Sequence, residues 1–417
     1  MIKKSTQTRQ PGLTPEQQNF LRKQVIDEQP PGAILHDFEV LLAFLQAEAP
    51  FKVTGQNNLI PLTYLRELNE RFSHPIRLDL KRPQFKSFPN IAGVYLLLRA
   101  SGLTYLSGSE KMLRLEVDEE AVASWHDLNP TERYFNLLET WAFRARPEIL
   151  GEQRSGLFGD PLYTWRDLFQ KIPGQEMIVA ANKEHEDTLK FWVGYYMLPL
   201  LAMLGFLRIE DGAPEPGKGW NVLSVKKTPF GEAMLAIFAQ KLPEWDDYID
   251  VVEEQQREAK FGVLQPLFQP YFPEWQHNLV IPEPADQEGT YIFKVILWGK
   301  IWRRIAIPGA MVLDKLATVI LNAFRFDFDH LYRFIFKNRF GLEQHVNHPM
   351  LEESPFTDEV KVQDLPLQPG MSMIFFYDFG DNWEFVVPLE QVTPPDPTLR
   401  KAKVLEEHGK SPDQYRW

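Results

Sequence analysis

Apolar residues in the first 150 positions recur with the period of helices. Leu62, Leu65, Leu68 and Phe72 fall three or four apart and predict a helix over 61–72. Apolar runs on either side predict two more, over 36–47 and 91–100. In SGLTYLSGSEKMLRLEV, two short apolar stretches then flank SGSE, the pattern of a hairpin. Three helices followed by a hairpin is the order of a winged helix. LNPTERYFNLLETWAF opens a further helix, with Asn129 as cap, Pro130 in the first turn and Glu132 three residues after the cap.

The same ending recurs between 160 and 242. LLLRASGLTYL (96–106) and LLAMLGFLRIE (200–210) each read as an apolar helix, a glycine stop and a strand. The loop DGAPEPGKG leads to the returning strand WNVLSVKKT and a helix from Pro229, so a second winged-helix-like module is predicted. The longest apolar stretch, FWVGYYMLPLLAMLGFL (191–207), carries Gly194 and Pro199 and is closed by Lys190 and Arg208. It is short for a membrane span and has no companion, so it predicts a buried helix and no membrane partner. From 243 to 289 Pro, Glu and Gln dominate. LPEWDDYIDVVEEQQREAK is helix-like and QPLFQPYFPEW extended, which predicts a linker with an aromatic latch.

At 290 the pattern turns to period two. Tyr291, Phe293, Val295 and Leu297 share one face of a strand, Gly299–Lys300 turns it, and IWRRIAI returns. Leu313, Leu316, Ala317, Ile320, Leu321 and Phe324 then form the apolar stripe of a helix meant for a sheet. Strands HLYRFIFKN, LEQHV, EVKV, SMIFFYD and NWEFVVPLE follow. The expected fold is multidomain α+β, with winged-helix-like helical modules at 14–150 and 160–242 and a Pro-rich linker at 243–289. The last domain, 290–417, is a β-grasp-like mixed sheet with one packed helix.

Composition narrows the chemistry. The chain of 417 residues has no cysteine, which excludes disulfides, thiolate metal sites and cysteine nucleophiles and fits a cytoplasmic location. MIKKSTQTRQPGLTPEQQ has no apolar core of a signal peptide. The net charge of −12 opposes non-specific phosphate binding. One basic stretch stands out, 294–339, with nine Lys and Arg against Asp314, Asp327 and Asp329.

KVILWGKIWRRIAIPG, FDFDHLYRFIF and DEVKVQDLPLQPGMSMIFFYDFGDNWEFVVPLE, in this order, resemble the plasmid pRiA-type open-reading-frame-three family over about 290–415. The resemblance implies an α+β fold and a setting on plasmids and other mobile elements. It implies no established reaction. This chain has Phe385 where the family has a histidine after DNWE, and VLEEHGKSPDQYRW in place of a cysteine-bearing segment.

Arg303 shares a strand face with isoleucines, and a buried charge needs a partner. Asp378 and Asp381 are the expected counter-charges, giving a structural ion-pair motif of Arg303, Arg304, Asp378 and Asp381. No cofactor or metal is expected. Asp378, Asp381 and His330 are the residues a Mg²⁺ site would draw on, but Asp and Gly between strands are ordinary turn chemistry. His345 and His348, near Glu343, are expected in a solvated loop. For nucleic acid the candidates are Lys226, Lys227, Lys300, Arg304, Arg333, Lys337 and Arg339. The helices before each hairpin, IAGVYLLLRA and YYMLPLLAML, offer almost no polar reading face. No Walker loop, dinucleotide fingerprint, G-x-S-x-G or H-E-x-x-H motif occurs. The expectation is a non-catalytic interaction protein or adaptor with a protein partner. A DNA-binding regulator and a metal-dependent nuclease at Asp378/Asp381 are the alternatives.

Overall fold

A computed structural model describes residues 13–107, 113–152, 160–179, 182–241, 252, 260–282 and 288–415. The helix-like stretch expected over 242–260 lies almost wholly outside them. The chain forms two compact units, Met1–Thr104 with Val117–Ile281 and Tyr105–Glu116 with Pro282–Trp417. The α+β class is as expected.

The elements up to the hairpin are α1 (Pro15–Arg22), α2 (Ile34–Ala47), β1 (Phe51–Lys52), α3 (Leu62–Arg71), α4 (Pro89–Ala100), β2 (Thr104–Ser107) and β3 (Arg114–Val117). Then come α5 (Glu119–Asp127) and α6 (Pro130–Glu139). The predicted capping box is present, with Asn129 and Glu132 each bonded to the other's backbone N–H. The next run is α7 (Pro161–Lys171), β4 (Glu176–Ile178), α8 (Lys183–Asp187), α9 (Met197–Met203), β5 (Leu207–Asp211) and β6 (Val222–Lys227). It is followed by α10 (Pro229–Lys241) and the short α11 (Gln265–Phe268). The two small sheets have the same plan, β1-β3-β2 and β4-β6-β5. In each, a short strand inserted among the helices joins the hairpin on the side of its last strand. The stretch 191–207 is not one helix: Gly194, at φ 91°, separates a π-helical turn from α9. No helix among the described residues is long and apolar enough to cross a membrane.

All twelve residues of α4 are buried, as expected of a helix that is apolar all round. It packs on α9, of which Met197, Leu198, Pro199, Leu200, Leu201 and Met203 are buried. Gly93 sets their approach, since a Cβ there would lie 2.6 Å from Leu200 Cγ and 3.1 Å from the Tyr196 carbonyl oxygen. Gly93→Val is therefore expected to cost about 1–3 kcal/mol by overpacking, read as a lower urea midpoint with an unchanged m-value. Trp165 stacks on Phe206 at 4.2 Å, and Tyr134 Oη donates to the Leu204 carbonyl at 2.7 Å.

The expected linker is packed where it is described. Residues 260–281 lie along α6, whose Glu132, Asn136 and Glu139 recur on one face. Glu132 accepts from the backbone N–H groups of Gln276 and His277, Asn136 from Leu279, and Glu139 from Gly262 and Leu264. The aromatic latch is made by Phe268, Phe272 and Trp275, which close on Phe135 of α6, Trp275 stacked on it at 4.4 Å; QPLF, expected to be extended, is helical in α11.

The second unit holds a seven-stranded sheet in the order β10-β9-β11-β12-β7-β8-β13. Its strands are β7 (Thr290–Trp298), β8 (Ile301–Pro308), β9 (Tyr332–Lys337), β10 (Glu343–Asn347), β11 (Ser372–Tyr377), β12 (Trp383–Thr393) and β13 (Lys403–His408). Every named pairing is antiparallel, so the mixed sheet expected from the sequence is corrected. EVKV forms a single bridge at Lys361 and the start of a 3-10 turn in place of a strand. The helix α12 (Leu313–Phe324) buries all six residues of its predicted stripe. With Tyr291, Phe293, Val295, Phe334, Phe375 and Phe385 they make the core of the unit.

Candidate site at one end of the C-terminal sheet

Four connections meet at the end of the sheet where β7 and β11 finish and β9 and β12 begin. They are the Trp298–Ile301 turn, the loop 325–331, the turn 378–382 and the tail 409–415. Gly409, at φ 78°, turns the tail beside Lys300 and Ile301, where a Cβ would lie 2.9 Å from the Lys300 carbonyl oxygen.

The acidic turn YDFGDN is built by its first aspartate. Asp378 sits in the turn itself, at φ 59°, not in the strand where alternation had placed it. Its Oδ1 accepts from the Gly380 N–H at 2.8 Å and, more weakly, from Asp381 at 3.4 Å. Its carbonyl accepts from Asn382, which is also left-handed at φ 55°. Asp and Asn tolerate this conformation because their side chains bond the neighbouring backbone. Asp381 and Glu384 point to solvent.

Beside the turn, His330 Nε2 lies 3.5 Å from Asp378 Oδ2 and 3.6 Å from Asp329 Oδ1. The Tyr377 hydroxyl is 2.6 Å from the Asp327 carbonyl oxygen and 3.0 Å from Asp329 Oδ1. Tyr415 donates to Asp329 Oδ2, and Gln414 reaches both Tyr377 and Asp329. Hydrogen bonds from Tyr415 and Tyr377 hold the Asp329 carboxyl below its ordinary range, so it is the ionised acceptor of the cluster. Burial pushes the Tyr377 phenol up to about 12, which keeps it a neutral donor. Among the described residues, no three His, Asp or Glu side chains are arranged to hold a metal ion.

The expected ties from the arginines to Asp378 and Asp381 do not form. Arg304 takes Glu390 at 2.8 Å and Glu406 at 2.7 Å. Arg303 is buried, and backbone supplies most of its partners: the carbonyls of Ala323 (3.0 Å), Trp302 (2.8 Å) and His408 (3.0 Å), with Ser411 Oγ at 2.8 Å. Its nearest carboxylate is the exposed Glu407, at 3.8 Å. The pairing fails because Asp378 spends one oxygen on its own turn while carbonyls and β13 already reach the two guanidinium groups.

The nucleic-acid candidates are divided between the two units. Lys226 pairs with Glu176 at 3.2 Å and Lys227 lies over Phe169, both in the first unit. In the second, Arg304 is neutralised as above, and Arg339 donates to the Pro282 carbonyl. Lys337 and Lys300 are exposed. Arg333 lies over Phe379 and donates to His345 Nδ1, which leaves His345 Nε2–H to donate to Glu343 at 2.9 Å. His345 is in β10, not in a loop. Gln414 and Tyr415 were not singled out from sequence, because a polar tail after the last strand carries no periodic signal.

A search of curated proteins finds no match. A crystal structure of a protein of unknown function from Methanosarcina mazei Go1 is similar at 24% identity, over 30% of this chain and 71% of that one, with a TM-score of 0.27. Residues 290–414, the C-terminal third of the chain, match the family model described as plasmid pRiA4b ORF-3-like protein, the family their motifs resemble.

Proposed function

We propose that this chain is a non-catalytic interaction protein of the cytoplasm, in which tandem winged-helix-like modules serve a pRiA4b ORF-3-like domain as an adaptor for a protein partner. The repeated order of helices and strands, with the last strand of each hairpin in the middle of its sheet, supports the winged-helix reading. The observation that carries the function is the pairing of α4 with α9. These are the helices a winged helix would lay in a major groove, and here they bury each other. A DNA reader needs that face exposed, while a module used for protein docking does not.

The experiment compares duplex DNA with protein capture. At about 50 mM salt no shift of duplex DNA is expected below about 1 µM protein. A tagged chain recovered from its native host should retain a stoichiometric protein partner after nuclease treatment. Salt-dependent DNA binding weakened by Lys226→Ala and Lys227→Ala would instead establish the DNA-binding regulator. Mg²⁺-dependent cleavage lost in Asp381→Ala would establish the nuclease.

A further inference from the structure

Beneath the tail lies a cleft of about 520 Å³, within the usual size of small-ligand sites. Arg303, Arg325 and Lys410 line it together with Asp327, Glu407 and Asp413. Among the described residues, the Arg325 and Lys410 side chains have neither a hydrogen bond nor an ion pair. Arg325 also closes α12 in the left-handed conformation, φ 59°, where glycine or asparagine is the usual choice. Backbone strain held at a surface arginine with no partner points to a function for that side chain.

The signs of the lining charges balance, so their burial decides the field. Arg303 is 3% exposed, whereas Asp327, Glu407 and Asp413 stand in water. Exposed charges are screened by solvent and salt, and a buried one is screened far less, so the floor of the cleft is positive. Arg303 makes four hydrogen bonds with its five N–H donors and meets its one carboxylate only at 3.8 Å. Burial lowers its pKa; the Glu407 carboxylate works against this, and the positive charge of Arg325 adds to it. Two guanidinium groups therefore face one cleft, with the exposed Glu407 carboxylate 3.8 Å from one of them.

We propose that this cleft binds a compact oxyanion, a phosphate or carboxylate group of a small molecule, with Arg325 and Lys410 as the ligating side chains and Arg303 fixing the field. Arg325 contributes a planar fork of donors that matches such a group, and Lys410 a point charge.

Calorimetric titration at constant ionic strength tests it, with inorganic phosphate and acetate as separate arms and chloride as the reference. Saturable binding of at least one of the two is expected, and the stronger arm names the anion type. Arg325→Gly should weaken it about tenfold or more while the protein keeps its melting temperature, because glycine suits the left-handed position. Lys410→Ala should weaken it several-fold, and Lys300→Ala, at the neighbouring turn, should leave it unchanged. No saturable binding of either anion up to about 20 mM, or equal binding by Arg325→Gly, would overturn the proposal.

Discussion

Replacing Arg303 by alanine is expected to destabilise the C-terminal unit by about 3–5 kcal/mol, the cost typical of breaking a buried, hydrogen-bonded charge. The guanidinium joins the end of α12 through Ala323, its own strand through Trp302, and the end of β13 with the tail through His408 and Ser411. It also lies over the Phe324 ring at 4.6 Å. Alanine would strip three part-buried carbonyls of a donor and open a cavity between helix and sheet. Lysine keeps the charge but cannot bond three directions at once, so Arg303→Lys should recover less than half of the loss. The two units need not unfold together, so hydrogen exchange of β8 and of residues 408–411 is the informative measurement. Protection within about 0.5 kcal/mol of the wild type in Arg303→Ala would show that the arginine is incidental.

This arginine also shows where sequence reading stops. That Arg303 faces inward follows from its place among Ile301, Ile305 and Ile307, and the burial is as predicted. Its partners do not follow, because backbone carbonyls are carried by every residue and leave no mark in the pattern. Acidic residues do leave a mark, so the aspartates of the turn stand out as counter-charges although the carbonyls are the partners. The stripe of α12 was legible to the residue because six apolar positions at helical spacing admit one packing face. The strands β1 and β4, of two and three residues, are too short to show a period, yet they complete the two small sheets. Asp378 was misplaced by one position for a related reason. Alternation continues through a turn only on paper, and the left-handed backbone at Asp378 ends it.

The packing of 260–281 along α6 is half visible in the sequence: Glu132, Asn136 and Glu139 fall on one face of a helix that is otherwise apolar there. Polar residues on a buried face require partners, and here the partners are backbone N–H groups more than 120 residues away. Glu139 is the costliest of the three to bury, and it makes the second large prediction. Burial pushes its carboxyl up to about 7, against the hydrogen bonds from Leu264 and Gly262 and the positive charge of Arg144, which favour the ionised form. Burial likewise pushes Arg144 down to about 10.

A carboxyl whose pKa is higher in the folded than in the unfolded state binds its proton more tightly when folded. Its contribution is therefore fully present below about 4.5 and is lost as the pH rises through about 7. The first unit should accordingly lose about 1–3 kcal/mol between pH 5 and pH 8 through this group. Glu139→Gln removes the titration and keeps one acceptor, so the difference between the two pH values should shrink by that amount in urea unfolding. Glu139→Ala removes both acceptors and the negative charge near Arg144. It should cost about 3–5 kcal/mol at pH 7 and release protection at 262–264 first. If Glu139→Gln keeps the full pH dependence of the wild type, the carboxyl titrates at its ordinary value and its two N–H bonds outweigh burial.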